Sequence, residues 1–134
     1  MEGMKLTRLS GALLAVALPL ALTGLVTGTA GASPGTALVL TVAVPDGPAD
    51  TVVLECEPTG GSHPHARRAC AELFAAKGKF EDLPGEQEHT SCTMEYRPVV
   101  AVAEGTWRGE HVEWEHEFGN GCTLRTATGS VFRF

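Results

Sequence analysis

Positive charge is scarce in this sequence: ten Lys and Arg stand against sixteen Asp and Glu in 134 residues, a formal net charge of −6. No basic patch results, and without one a nucleic-acid surface built on phosphate contacts is excluded. The usual catalytic signatures are missing too. There is no G-x-S-x-G elbow, no phosphate loop and no G-x-G-x-x-G, so the common nucleophile and nucleotide sites have no sequence basis. "HEF" at His116–Phe118 begins like H-E-x-x-H but lacks the second histidine. No C-x-x-C occurs, and the cysteine gaps of 14, 22 and 30 residues are unlike zinc knuckles. No pattern calls for a cofactor. The chain has no internal repeat and no low-complexity segment after its N-terminal stretch.

That stretch carries the first positive signal. Lys5 and Arg8 precede the apolar run "LSGALLAVALPLALTGLV", and "AGA" at Ala30–Ala32 follows. A charged start, an apolar middle and a small-residue end describe a secretory signal. The run is nearly long enough to span a bilayer, but the A-x-A pattern favours cleavage before Ser33. No cysteine follows in a position for lipid attachment. Residues 1–32 are therefore read as a signal peptide and 33–134 as one secreted, extracellular domain, free of the membrane once cleaved. Removing Glu2, Lys5 and Arg8 leaves 8 basic and 15 acidic residues, a net charge near −7, which favours solubility without naming a partner.

All four cysteines, Cys56, Cys70, Cys92 and Cys122, lie in that domain. An even count in an exported chain argues for two disulfides. Three pairings are open; 56–70 with 92–122 would give two local staples, but the residues do not choose. Each such staple would restrict the unfolded chain by about 3–4 kcal/mol.

Strands are expected at "ALVLTVAV" (37–44) and "TVVLEC" (51–56), joined by the turn "PDGPAD". "HPHARRACAELFAAKGK" reads as the main helix, with Ala66, Ala69, Cys70, Leu73 and Phe74 on one face and Gly78 as its stop. "FEDLPGEQEHTS" is a loop with room for one helical turn. "VVAVAEGTW" and "EHVEWEHEF" form a second hairpin about Arg108-Gly109, the latter strand alternating Val112, Trp114, His116 and Phe118 with His111, Glu113, Glu115 and Glu117. "GNGC" turns the chain and "SVFRF" closes it as a fifth strand. The fold class is α+β: a five-stranded antiparallel sheet with one main helix and a short second helix on one face, and two disulfides.

Candidate site residues are few. His63 and His65 could ligate a metal, but no third ligand is indicated, so they read as surface residues at a helix start and no metal site is assigned. His111 and His116 fall on opposite strand faces and cannot chelate one ion. Arg67-Arg68 reads as a solvated helix face rather than a processing site, and Trp107 and Trp114 as packing residues. With all cysteines assigned to bridges no thiol nucleophile remains, and an enzyme is not expected. "SCTMEYRPVV" is different. It is a poor helix and becomes strand-like only after Pro98.

The chain resembles the streptomycete subtilisin inhibitor family, secreted serine protease inhibitors. The resemblance runs from Ala37 to Phe134 and rests on "ALVLTV", "CEPTGGSHPHARRACAEL", "CTMEYRPVV", "GTWRGEHVEWEHEFGNGC" and "GSVFRF", in that order. It implies bridges Cys56–Cys70 and Cys92–Cys122, helices on one sheet face and a homodimer through the other. It implies that Met94 enters the S1 pocket of a subtilisin-like protease and that Met94–Glu95 is the reactive bond. Ser91, Cys92 and Thr93 would then run on one side of the bond, and Tyr96, Arg97 and Pro98 on the other. Residue types suit that role. Thr93 is stiff at χ1, Pro98 biases Arg97 towards extended backbone, and Met94 is long and unbranched. The family's type has Pro before the methionine and an apolar residue three before it, where this chain has Thr93 and Ser91. The Ser91 change forfeits about 1–2 kcal/mol of apolar contact. Glu95 stands where an apolar residue is common. The alternative is a secreted, disulfide-bonded binding module on the same scaffold without useful inhibition.

Overall fold

The computed structural model describes residues 35–86 and 91–134. The signal segment and His89 lie outside the described residues. Five strands form one antiparallel sheet: β1 (Thr36–Ala43), β2 (Ala49–Cys56), β3 (Gly60–Gly61), β4 (Val99–Trp107) and β5 (Glu110–Phe118), in the order β3-β2-β1-β4-β5. α1 (Ala66–Ala75) and α2 (Gly121–Thr128) complete the fold, with a single 3-10 turn at Phe80–Asp82.

Strand alternation decides which face is covered. Leu38 and Leu40 on β1, Leu54 and Cys56 on β2, and Ala101, Ala103 and Trp107 on β4 are buried together with Ala69, Cys70 and Leu73 of α1. Leu124 of α2, Phe80, Val131 and Phe132 close the same core. Each fully buried leucine contributes about 1.5–3 kcal/mol relative to exposure. The opposite face carries Val39, Thr41, Val53 and Thr51, with the Thr41 and Thr51 hydroxyls 3.0 Å apart. On β5 that face carries His111, Glu113, Glu115 and Glu117, as the alternation predicted.

α1 has ten residues and no side-chain N-cap. An isolated helix of that length is marginal in water. It is held by Leu73 in the core and by the Cys56–Cys70 disulfide to β2, with Cα atoms 5.8 Å apart. The helix is shorter than the sequence pattern suggests. Lys77 and Gly78 take left-handed φ of 54° and 75°, and the Gly78 N–H donates to the Leu73 carbonyl at 2.9 Å. Glycine is required there for a second reason: a Cβ would sit 2.3 Å from Cδ1 of Trp107. The β4–β5 turn also uses left-handed residues, Arg108 (φ 48°) and Gly109 (φ 87°), the pattern that matches hairpin twist.

Three expectations need correction. "SVFRF" is not a strand. Val131 and Phe132 are buried without joining the sheet ladder, and the fifth strand is the two-residue β3. "GNGC" is not merely a turn, because Asn120 caps α2 there. His63 is not a surface residue: it is only 5% exposed. Its Nδ1 accepts from the His65 N–H at 2.9 Å, which leaves the proton on Nε2 to be donated to the Val131 carbonyl at 3.0 Å. Burial pushes this imidazole below its ordinary value of 6.5, the charge of His65 adds to that, and the Val131 hydrogen bond opposes it. Phe134 packs edge-on against the ring at 5.6 Å. His63 thus ties the start of α1 to the C-terminal segment.

Candidate functional site

Ser91 to Pro98 is neither helix nor strand, and it leads directly into β4. Ser91 and residues 93–97 are exposed, and Cys92 is half-buried. Met94 is 98% exposed and Tyr96 73%. An unbranched apolar side chain in full contact with water leaves its burial energy, about 1.5–3 kcal/mol, uncollected within the chain. Met94 is therefore not a core residue. It is apolar surface available to another molecule.

The segment beneath that side chain is fixed at several points. Cys92 is bridged to Cys122 of α2, with Cα atoms 5.6 Å apart. The Arg97 N–H donates to the Gly119 carbonyl at 2.9 Å. Between these anchors, Nδ2 of Asn120 donates to the Thr93 carbonyl at 3.1 Å and to the Glu95 carbonyl at 2.9 Å. The two accepting carbonyls lie on either side of Met94. The same side chain uses Oδ1 to accept from the Thr123 N–H at 2.9 Å, while the Thr123 hydroxyl accepts from the Asn120 N–H at 3.2 Å. This reciprocal capping box fixes the first turn of α2. One amide thus locks the helix start and the exposed loop together. Further along, Glu95 pairs with Arg97 (Oε1–Nε 2.8 Å), and the Tyr96 hydroxyl donates to Glu117 at 3.4 Å. These are exposed contacts, and such pairs contribute at most about 1 kcal/mol.

Every loop residue singled out in the sequence is thus gathered at one end of the sheet. Asn120 was missed. The spacing N-x-x-T at Asn120–Thr123 is a helix-start signal, and Cys122 within it is bridged two residues before Met94. Together those two facts would have found it.

The other candidates stay apart. His63 and His65 have ring centroids 6.4 Å apart, with His63 committed to backbone partners. Among the described residues no group of three His, Cys, Asp or Glu could hold a metal ion. A cleft of about 740 Å³ beside the start of α1 is wide open and remote in sequence from the loop, lined by residues between Thr59 and Ala71. His116 packs between Trp114 and Phe118, and His111 is on the opposite face near Glu113. Arg67 and Arg68 are exposed on α1.

A protein-family profile described as "Subtilisin inhibitor-like" matches residues 34–120. Subtilisin inhibitor-like protein 5 of Streptomyces fradiae is 48% identical over 104 residues, covering 73% of this chain and 96% of that protein. Protease inhibitor SIL-V2 of Streptomyces orinoci is 45% identical over 103 residues, covering 73% and 94%. Among solved structures, sermetstatin of Streptomyces caespitosus, crystallised in complex with Bacillus licheniformis subtilisin, superposes with a TM-score of 0.64. It is 29% identical and covers 75% of this chain and 99% of that one.

Proposed function

The chain belongs to the subtilisin inhibitor-like family, a family of inhibitors rather than enzymes, and we propose that it inhibits subtilisin-like serine proteases as a substrate mimic. Met94 enters the S1 pocket and Met94–Glu95 is the reactive bond. Ser91, Cys92 and Thr93 lie along the non-primed side of the enzyme's groove, and Tyr96, Arg97 and Pro98 along the primed side.

One observation carries this reading: a fully exposed methionine stands on a backbone whose flanking carbonyls are pinned by the single side-chain amide of Asn120. Proteases bind substrates as extended backbone. A loop held in one conformation before binding loses less entropy when it docks. The same anchors separate an inhibitor from a substrate. Cleavage at Met94–Glu95 would leave the Thr93 carbonyl on the acyl fragment and the Glu95 carbonyl on the amine fragment. Asn120 holds both, and the disulfide at Cys92 retains the acyl side. The new amine therefore stays beside the acyl group at high effective molarity, so resealing competes with hydrolysis.

Residues 1–32 serve as the signal peptide and 33–134 as the secreted inhibitor domain. Two copies pair through the sheet face that carries Val39 and Val53, which are adjacent across β1 and β2 and both exposed. A dimer would sediment at twice the monomer mass. Titration of subtilisin with the domain tests the function. Stoichiometric, tight loss of activity is expected. No effect, or rapid complete cleavage after Met94, would leave only a binding module on this scaffold.

A further inference from the structure

The loop is not the only exposed feature at its end of the sheet. Ala43, the last residue of β1, lies opposite Val100 of β4. The β1–β2 turn therefore stands beside the residues that follow the Met94–Glu95 bond. That turn, Val44 to Pro48, is exposed throughout yet well fixed. The Gly47 N–H donates to the Val44 carbonyl at 2.9 Å and the Val44 N–H to the Pro48 carbonyl at 3.0 Å. Pro45 and Pro48 set their own φ. Between turn and loop lies a cleft of about 530 Å³ lined by Val44, Pro45, Arg97, Pro98, Val99 and Gly121. Val44 is 46% exposed at its mouth. The Arg97 guanidinium pairs with Glu95 at 2.8 Å.

We propose that this cleft is a second contact for the protease that Met94 enters, taking an apolar side chain from the enzyme's primed-side rim. The proposal rests on the inhibitor reading above. Reach supports this occupant. Four residues of extended chain span at most about 14 Å, so Pro98 lies within that distance of Met94. A standard interface covers about 800 Å² per partner, equivalent to a disc of roughly 16 Å radius. A protease centred on Met94 therefore reaches Pro98, which forms one wall of the cleft. A rigid apolar hollow at the edge of such a footprint is filled by the partner or leaves a void at the contact.

The test is inhibition kinetics of Val44→Asp and the neutral Val44→Ser against subtilisin, beside the unaltered domain. Both sit on an exposed turn, and unchanged thermal melting would verify the fold. Val44→Asp is expected to raise Ki at least ~10-fold and Val44→Ser about 3-fold, mainly through faster dissociation. An unaltered domain that leaves subtilisin active overturns the inhibitor reading and this proposal with it. An unaltered domain that inhibits, beside a Val44→Asp variant that inhibits equally well, overturns this proposal alone. A variant that changes only the sedimenting mass would assign the cleft to a second copy of the chain and also overturn it.

Discussion

Asn120 performs two tasks with opposite ends of one amide, and substitution can separate them. Asn120→Asp keeps the oxygen that accepts from the Thr123 N–H and is as good an N-cap as asparagine. It replaces Nδ2 with an oxygen facing the carbonyls of Thr93 and Glu95, which lie 3.1 and 2.9 Å from that atom. Two donated hydrogen bonds are lost, each with a net value of about 0.5–1.5 kcal/mol. Their sum, about 1–3 kcal/mol, is charged to loop order and hence to binding, a factor of roughly 5–150 in Ki. Asn120→Ala loses the same bonds and the cap, a further ~1 kcal/mol of fold stability. In a domain of about this size that lowers Tm by ~4–8 °C. Titration of subtilisin, melting curves and the rate of cleavage at Met94–Glu95 would be measured for both. Both variants should inhibit more weakly and be hydrolysed faster, with the larger Tm loss in Asn120→Ala. If either inhibits like the unaltered domain, pinning of the two carbonyls is irrelevant to function.

Met94→Lys should gain measurable trypsin inhibition, because trypsin's S1 pocket carries a carboxylate; a folded variant with unchanged behaviour towards both enzymes would remove Met94 from the contact. His63 predicts an acid response. Its folded-state pKa lies below its ordinary 6.5, so the unfolded chain binds the extra proton first, and stability falls as pH drops below about 6.5 until the folded value is passed. His63→Gln should remove that part of the slope, at most about 1.4 kcal/mol per pH unit, from urea denaturation followed between pH 7 and 5; equal slopes would contradict the assignment. Gly78→Ala should destabilise by more than the ~1 kcal/mol of a left-handed alanine, because the methyl group meets the Trp107 ring. Chemical denaturation that reveals no loss would contradict that packing.

The long elements were legible because their side chains obey simple periods. β1, β2, β4 and β5 announce themselves through β-branched runs and alternation, and Arg108-Gly109 marks the hairpin between the last two. What escaped depends on tertiary partners. β3 is two glycines that register only because β2 lies beside them. α2 contains Gly121 and three threonines, weak helix formers, and stands because Asn120 caps it and Leu124 is buried. Val131 and Phe132 look like strand residues because they are apolar, but they fill the core from a non-ladder backbone. His63 looked solvated among polar neighbours until two backbone groups were found to satisfy both ring nitrogens. At the site, the exposed loop was legible through family resemblance, whereas its support was hidden in a residue that reads as a turn.

The glutamates of β5 have a consequence for behaviour in concentrated solution. β5 is an outermost strand of nine residues, long enough to template pairing with another molecule's border. A second copy laid antiparallel along it and centred on Glu115 would set Glu115 against Glu115 and Glu113 against Glu117, and like charges directly opposite oppose such a ladder. Growth of fibrils from this margin is thereby discouraged at low ionic strength, and concentrated salt, which shortens the reach of that repulsion, is the condition under which it would weaken.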